Sequence, residues 1–248
     1  MAFDHRCRLI IDPPGEGAWN MAVDEALLES AQNDDVATLR FYSWRVPTLS
    51  LGYFQSHADR RLHPMSADCP VVRRASGGGA ILHDRELTYS IALPHGHLLS
   101  LRAQGLYEAV HESLIEALAE LGISATRFDG QRRSIDQPFL CFQRREHGDV
   151  VSGDDKIAGS AQRRQRGAVL QHGSILLACS RFAPKLPGIA ELFSEEVNIE
   201  DLCRDWLARL AKMLKVSFTQ STLPATVAAA AGEIARQKFG NPVWTQKR

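Results

Sequence analysis

The stretch from Pro70 to His83 limits the fold more than any other. An apolar strand, Pro70-Val71-Val72-Arg73-Arg74, runs through Ala75-Ser76 into Gly77-Gly78-Gly79, and Ala80-Ile81-Leu82-His83 resumes a β pattern at once. Nucleotide-binding α/β units instead follow their glycine loop with a helix, and neither GxxxxGK[ST] nor GxGxxG occurs here, so those folds are disfavoured. Three consecutive glycines permit positive φ angles and let backbone N–H groups come close to an anionic or carbonyl oxygen, with two arginines alongside. Taken alone, the triplet favours a flexible turn. Its meaning depends on what the rest of the chain brings to it.

Arg8-Leu9-Ile10-Ile11 predicts a strand. Residues 15–31 predict a helix, with Met21, Leu27 and Leu28 at helical spacing and acidic residues between them. Short β runs follow at 38–44 and 49–53, around Pro47, and again at 87–93. Residues 107–121 form an amphipathic helical pattern stopped by Gly122, with strand-like pieces at 125–128 and 139–142. Within 150–161, Ser152-Gly153-Asp154-Asp155 has a hairpin-turn composition, and 169–177 reads as a further strand. Two helices, 199–214 and the Ala-rich 224–239, come last. No repeat, linker or compositional boundary divides the chain. Strands surrounded by helices therefore predict a single α+β domain over 1–248, with a mixed, mainly antiparallel sheet flanked by helices.

Charge excludes some functions. Twenty-nine Lys and Arg face 29 Asp and Glu, a formal net charge of +0, so no overall field draws the protein to nucleic acid or a membrane. A basic site must be local, and Gln162 to Gly167 (QRRQRG) is a solvated run able to steer an acidic carrier protein. The first six residues, MAFDHR, have no apolar core and no small-residue cleavage site, and no stretch is long enough to span a bilayer, so a cytoplasmic location is expected. Five scattered cysteines without CxxC spacing argue against a disulfide framework and against a zinc site, and no metal is expected.

Lys156 follows the predicted hairpin turn and precedes the small residues Ala158-Gly159-Ser160-Ala161, so its ammonium can project from a strand into an open pocket. The competing reading is a solvated hairpin lysine tied to Asp154 or Asp155 in a surface ion pair. His83-Asp84 reads equally as an oriented ring nitrogen or a structural pair. His172, in Gln171-His172-Gly173, adds a polar group on the next strand.

Together, RRASGGGAILHD at 73–84, KIAGSAQ from 156 and LQHGSILL ending at 177 resemble the lipoate-protein ligase and octanoyltransferase family, with weaker agreement from GAWNMAVDEALL and FGNPVWTQKR. The likeness runs along essentially the whole chain. It implies the fold of the biotin/lipoate protein ligase catalytic domain, which is class II aminoacyl-tRNA synthetase-like. It also implies a site lined by Arg74, Gly77, Gly78, Gly79, Ala80, His83, Gly159 and His172.

The family divides by chemistry. Ligases use ATP and Mg to make an acyl-adenylate, whereas one branch takes octanoyl groups from octanoyl acyl-carrier protein through a cysteine thioester and needs no cofactor. Leu140-Cys141-Phe142 stands where that branch carries its Cys-Phe pair, fifteen residues before Lys156 (156 − 141). The resemblance therefore implies Cys141 as nucleophile and Lys156 as its partner. The acceptor it implies is a lysine of a lipoyl domain or of glycine-cleavage H protein. A cation near a thiol lowers its pKa from about 8.5, which makes thiolate available at neutral pH. By itself Cys141 beside Phe142 reads as a buried structural thiol. The rival readings are an ATP-dependent ligase with Cys141 idle, a lipoyl-domain amidotransferase, and a non-enzymatic lipoyl-domain binding protein. No nucleophile-elbow sequence supports a Ser-His-Asp hydrolase.

Overall fold

The computed structural model describes residues 5–34, 36–130, 138–194 and 197–248. Residues 1–4, on which the reading of the first six rests, lie outside these. In chain order the elements are β1 (His5–Ile11), α1 (Gly17–Asn33), β2 (Ala37–Tyr42), β3 (Thr48–Leu51), β4 (Val71–Arg73), β5 (Ile81–His83) and β6 (Glu86–Leu93). Then follow α2 (Ala103–Glu120), β7 (Thr126–Arg127), β8 (Val150–Ser152), β9 (Asp155–Gln165), β10 (Ala168–Leu176) and α3 (Ile189–Phe193). Last come α4 (Ile199–Leu214), β11 (Val216–Gln220), α5 (Ala225–Ile234) and α6 (Pro242–Thr245). Among the described residues one sheet has eight strands in the order β11-β1-β2-β6-β10-β9-β8-β7, and a smaller one runs β4-β3-β5. In the large sheet β1 pairs parallel with β11 and β2, and every other pairing is antiparallel, as expected from the sequence.

Side-chain alternation on the strands builds the two faces. Leu39 and Phe41 of β2, with Leu87, Tyr89 and Ile91 of β6, join α2 and α4 in one core, where Trp206 meets the Phe41 and Tyr89 rings at 5.5 and 5.0 Å. The opposite face carries Tyr42, Ala92 and Leu170 under α1 and α5. A third cluster, with Leu49, Leu51, Leu82 and Leu140, packs around the small sheet. Among the described residues no helix is long and apolar enough to cross a membrane.

Several boundaries differ from the sequence reading, which does not predict α3 or β11, and three of the differences have a clear local reason. α1 begins at Gly17 rather than Gly15, because the Gly15 amide donates to Ser43 O and Gly15 O accepts from Arg45, a bridge beside Trp44. The predicted strand 139–142 makes one bridge, Leu140 to Ala80, and then turns. The Gln143 amide donates to Leu140 O, so Cys141–Gln143 is a single 3-10 turn. The last predicted helix widens into a π turn at Ala235–Phe239.

Met21, Asp24 and Leu27 lie three residues apart on α1, so Asp24 sits on the buried face of the helix rather than among its solvated acids. There it meets Arg40, which is fully buried on β2. The guanidinium reaches Asp12 Oδ2 at 2.7 Å, Asp24 Oδ1 at 3.0 Å and Asn20 Oδ1 at 3.0 Å, and it lies 3.9 Å over the Tyr42 ring. The Tyr42 hydroxyl donates to the other Asp24 oxygen at 2.9 Å. Removing one partner of such a cluster leaves buried charge without compensation. Arg40→Met should therefore lower the unfolding free energy by about 3–5 kcal/mol in urea denaturation. A loss below about 1 kcal/mol would show that the cluster contributes little.

Candidate active site

The glycine loop is shaped from beneath by Arg74. Its buried guanidinium donates to Ser50 O at 3.0 Å, Gly77 O at 2.7 Å and Gly79 O at 2.6 Å. Burial pulls its pKa down to about 10, which still leaves it charged at neutral pH. Gly78 holds φ +93°, the conformation that glycine supplies at least cost. With the loop carbonyls drawn towards Arg74, the amides of Gly77, Gly78 and Gly79 donate to no protein acceptor among the described residues. Gly77 and Gly78 border a cavity of about 370 Å³ that Cys141, Lys156, Gly159 and His172 also line.

Cys141 enters this cavity because Ala80 anchors its backbone. Ala80 N–H donates to Phe139 O at 2.9 Å, and Cys141 N–H donates to Ala80 O at 2.7 Å. Ala80 itself is fully buried, behind the cysteine rather than at the cavity. Gly79 lies against the same turn: a Cβ there would stand 3.2 Å from Cys141 Cα. The half-buried thiol lies 3.8 Å from Lys156 Nζ, so the two residues fifteen apart in sequence are brought together.

Lys156 is buried, and its partner is neither carboxylate of the turn. Asp154 pairs with Arg145 at the surface, while Lys156 Nζ meets Asp149 Oδ2 at 2.7 Å and lies 5.2 Å from the Phe142 ring centroid. Burial works against the ammonium, but Cys141 and Asp149 together outweigh it and hold the lysine above its ordinary pKa. Asp149 is further fixed by the Glu146 amide at 2.7 Å. Its position was readable in principle, since the 152–155 hairpin sets Lys156 opposite Val151 and folds residue 149 back towards the lysine. Gly159 makes room for the pair: a Cβ there would fall 2.5 Å from Lys156 Cε and 3.0 Å from Asp149 Oδ1.

The remaining polar groups form two bonded sets. His172 joins α1 to the glycine loop, with Nδ1 3.2 Å from Asp24 Oδ2 and Nε2 2.5 Å from Ser76 Oγ. His83 ends β5 and Asp84 lies in the bend that follows, and the two do not pair with each other. His83 Nδ1 meets Glu86 Oε1 at 2.6 Å and its ring stacks on Trp44 at 3.8 Å, while Asp84 accepts from Ser180. At the other end of the cavity, buried His111 bonds Gly148 O through Nδ1 at 2.6 Å and Ser160 Oγ through Nε2. Sequence reasoning passed over Asp149, Asp24, His111 and Gly52. A Cβ on Gly52 would come within 2.0 Å of Gly78 O. The basic run 162–167 ends at the β9–β10 turn, where Arg163 binds Ala75 O and Arg164 binds Ser100 O.

The family model of the lipoyl protein ligase A/B catalytic domain matches residues 16–219. Octanoyltransferase LipM of Geobacillus kaustophilus is 33% identical over 93% of this chain and 94% of its own. That of Brevibacillus brevis is 32% identical over 97% of this chain and 99% of its own. Among solved structures, protein Ta0514 of T. acidophilum superposes with a TM-score of 0.81 at 23% identity, over 98% of this chain and 99% of that one. Lipoate-protein ligase A bound with ATP superposes with a TM-score of 0.78 at 22% identity, over 99% of each chain. At such identities the two structures speak for the fold.

Gly159→Ala tests the lysine seat. The added methyl meets the end of Lys156 and the Asp149 carboxylate, so the variant should lose about 1–3 kcal/mol of stability as the buried pair is disturbed, while alkylation of Cys141 by iodoacetamide slows about tenfold as the ammonium is displaced. Unchanged alkylation would remove the role given to Gly159. His111 predicts a pH dependence. Burial, against the Gly148 hydrogen bond, presses its pKa to about 4, so the native ring stays neutral where the unfolded chain takes a proton. Its contribution is complete above pH 6.5 and is lost as pH falls towards 4, by about 3 kcal/mol in all. His111→Gln should flatten that part of the stability curve.

Proposed function

Since the chain belongs to the lipoyl protein ligase A/B catalytic-domain family, we propose that it moves an octanoyl group from octanoyl acyl-carrier protein, through a thioester on Cys141, to a lysine of a lipoyl domain or glycine-cleavage H protein. In this reading residues 1–248 act as one catalytic domain. The observation that carries it is the Lys156 ammonium, 3.8 Å from the Cys141 sulfur at the wall of a cavity. A fixed positive charge at that distance favours the negative charge a thiol must develop to act as nucleophile.

In the first half-reaction the Cys141 thiolate attacks the carbonyl carbon of the donor thioester. A C–S bond to Cys141 forms, the bond to the carrier sulfur breaks, and the carrier leaves as its thiol after taking a proton. In the second half the ε-amine of the acceptor attacks the enzyme thioester, the C–N bond forms, and Cys141 departs with the electron pair as thiolate. The amine proton is released. Thioester exchange is nearly isoenergetic and amide formation from a thioester runs downhill, so the reading needs neither ATP nor another cofactor. Each tetrahedral intermediate places an oxyanion within the cavity, where the free amides of Gly77 to Gly79 and the Lys156 ammonium supply preorganised stabilisation. His83 and His172 border the acyl group, and Arg74 acts one step back by holding the loop. A cysteine nucleophile has to stay reduced, which suits the cytoplasm.

The relatives named octanoyltransferase support this reading over the ATP-dependent ligase. Incubation with octanoyl acyl-carrier protein in the absence of ATP should give an octanoyl adduct by intact mass, absent in Cys141→Ala. Transfer to an acceptor lysine should fall by at least about a thousandfold in that variant. Equal transfer by wild type and Cys141→Ala would end the thioester mechanism. Acylation that requires ATP and free octanoate would install the ligase reading in its place.

A further inference from the structure

We propose that the cationic, aromatic lip beside the glycine loop, formed by Tyr53, Phe54, Trp244, Lys247 and Arg248, is the docking surface for the acidic protein that carries the acyl donor. The proposal rests on the transfer reading above and names where its first substrate lands. The Lys247 ammonium lies 3.5 Å from the centroids of both the Tyr53 and Trp244 rings, and Arg248 lies over Tyr53 and Phe54 at 5.4 and 5.3 Å. Phe54 packs edge-on against Tyr53 at 4.9 Å yet is 71% exposed. Cations held in place by rings lose little freedom on binding, and exposed aromatic groups beside them match the composition of interface hot spots.

The lip is cationic in net terms. The connection 52–70 and residues 238–248 hold Arg60, Arg61, Lys247 and Arg248 against two acidic side chains, Asp59 and Asp68, when Lys238 is set aside because it pairs with Glu25. Across the cavity, by contrast, Arg127 is matched by Glu108 at 3.4 Å and Glu112 at 3.5 Å. A partner with an acidic face is therefore steered to one side of the opening. That side is wired to the catalytic loop. The Tyr53 amide donates to Ser76 O at 2.9 Å, and a Cβ on Gly77 would stand 3.9 Å from Phe54. Adding the Gly77 to Gly79 step and the Gly79 contact with Cys141 places Phe54 within about 18 Å of Cys141 Cα and about 20 Å of its sulfur, a span for a thioester on a long flexible arm.

The test compares two donors. At low ionic strength, loading of Cys141 from octanoyl acyl-carrier protein should slow about tenfold or more in Lys247→Glu/Arg248→Glu, and high salt should narrow the gap. Loading from octanoyl-pantetheine, which has no protein surface, should stay within about twofold of wild type, and this also reports an intact active site. Lys247→Gln/Arg248→Gln should show a smaller loss in the same direction, and the distant control Arg204→Glu none. Equal losses with both donors, no loss with the carrier donor, or a loss confined to the later transfer onto an acceptor lysine would each overturn the surface. A wild-type enzyme that takes no acyl group from the carrier overturns the transfer reading on which the surface rests.

Discussion

The molecule is organised around a carboxylate placed where α1 would otherwise be apolar. Asp24 is tolerable inside the protein because Arg40 and Tyr42 of β2 and His172 of β10 all meet it. Arg40 and His172 both lie opposite Ser90, one on each neighbouring strand, so a single row across β2, β6 and β10 presents them to the helix. The charge cluster thereby ties the helix to the sheet at one register. Through the second nitrogen of His172 it reaches Ser76, at the entrance to the glycine loop. Apolar packing alone tolerates small slides of a helix on a sheet, whereas a buried ion pair with all its donors engaged does not.

At the site, chemistry depends as much on side chains that are missing as on those present. Gly52 clears the space that the Gly78 carbonyl occupies, and Gly159 clears the space for the Lys156–Asp149 contact. Arg74 gathers the loop carbonyls, and the amides of three successive glycines are without protein partners among the described residues. Cys141 arrives by a different route, held at the end of a one-residue bridge by Ala80. The loop and Cys141 are thus set by adjoining backbone contacts.

Most of the fold was legible because it is periodic. Apolar alternation located β2, β6 and β10, and α4 begins and ends where the helical spacing places it. The 3-10 turn at Cys141 was not legible, since a single bridge followed by a turn has no period. The Cys141 and Lys156 pair emerged from the spacing of motifs that resemble a known family. Asp24 was misread because helical spacing was applied to the apolar residues and not to the acid between them. Asp149 was missed because strand register was not carried past the hairpin turn. Arg74, expected at the ligand, borders the cavity and also donates through its two terminal guanidinium nitrogens to backbone carbonyls, a role that only three-dimensional contacts reveal.

Arg73 shows how late the loop acquires its final shape. Among the described residues its buried guanidinium pairs with no carboxylate. It is satisfied by carbonyls, among them Gln55 O at 2.6 Å and Thr245 O at 2.8 and 3.0 Å, while Trp244 Nε1 donates back to Arg73 O at 2.8 Å. The charge and two of its acceptor contacts are thus 172 positions apart in the chain. During synthesis β3, β4 and β5 emerge first, but the arginine that ends β4 stays short of acceptors until α6 has been made and has docked. Contacts of such sequence separation form late in folding. A nascent chain can therefore fold much of its sheet while Arg73, beside the glycine loop, still lacks the contacts that tie it to α6.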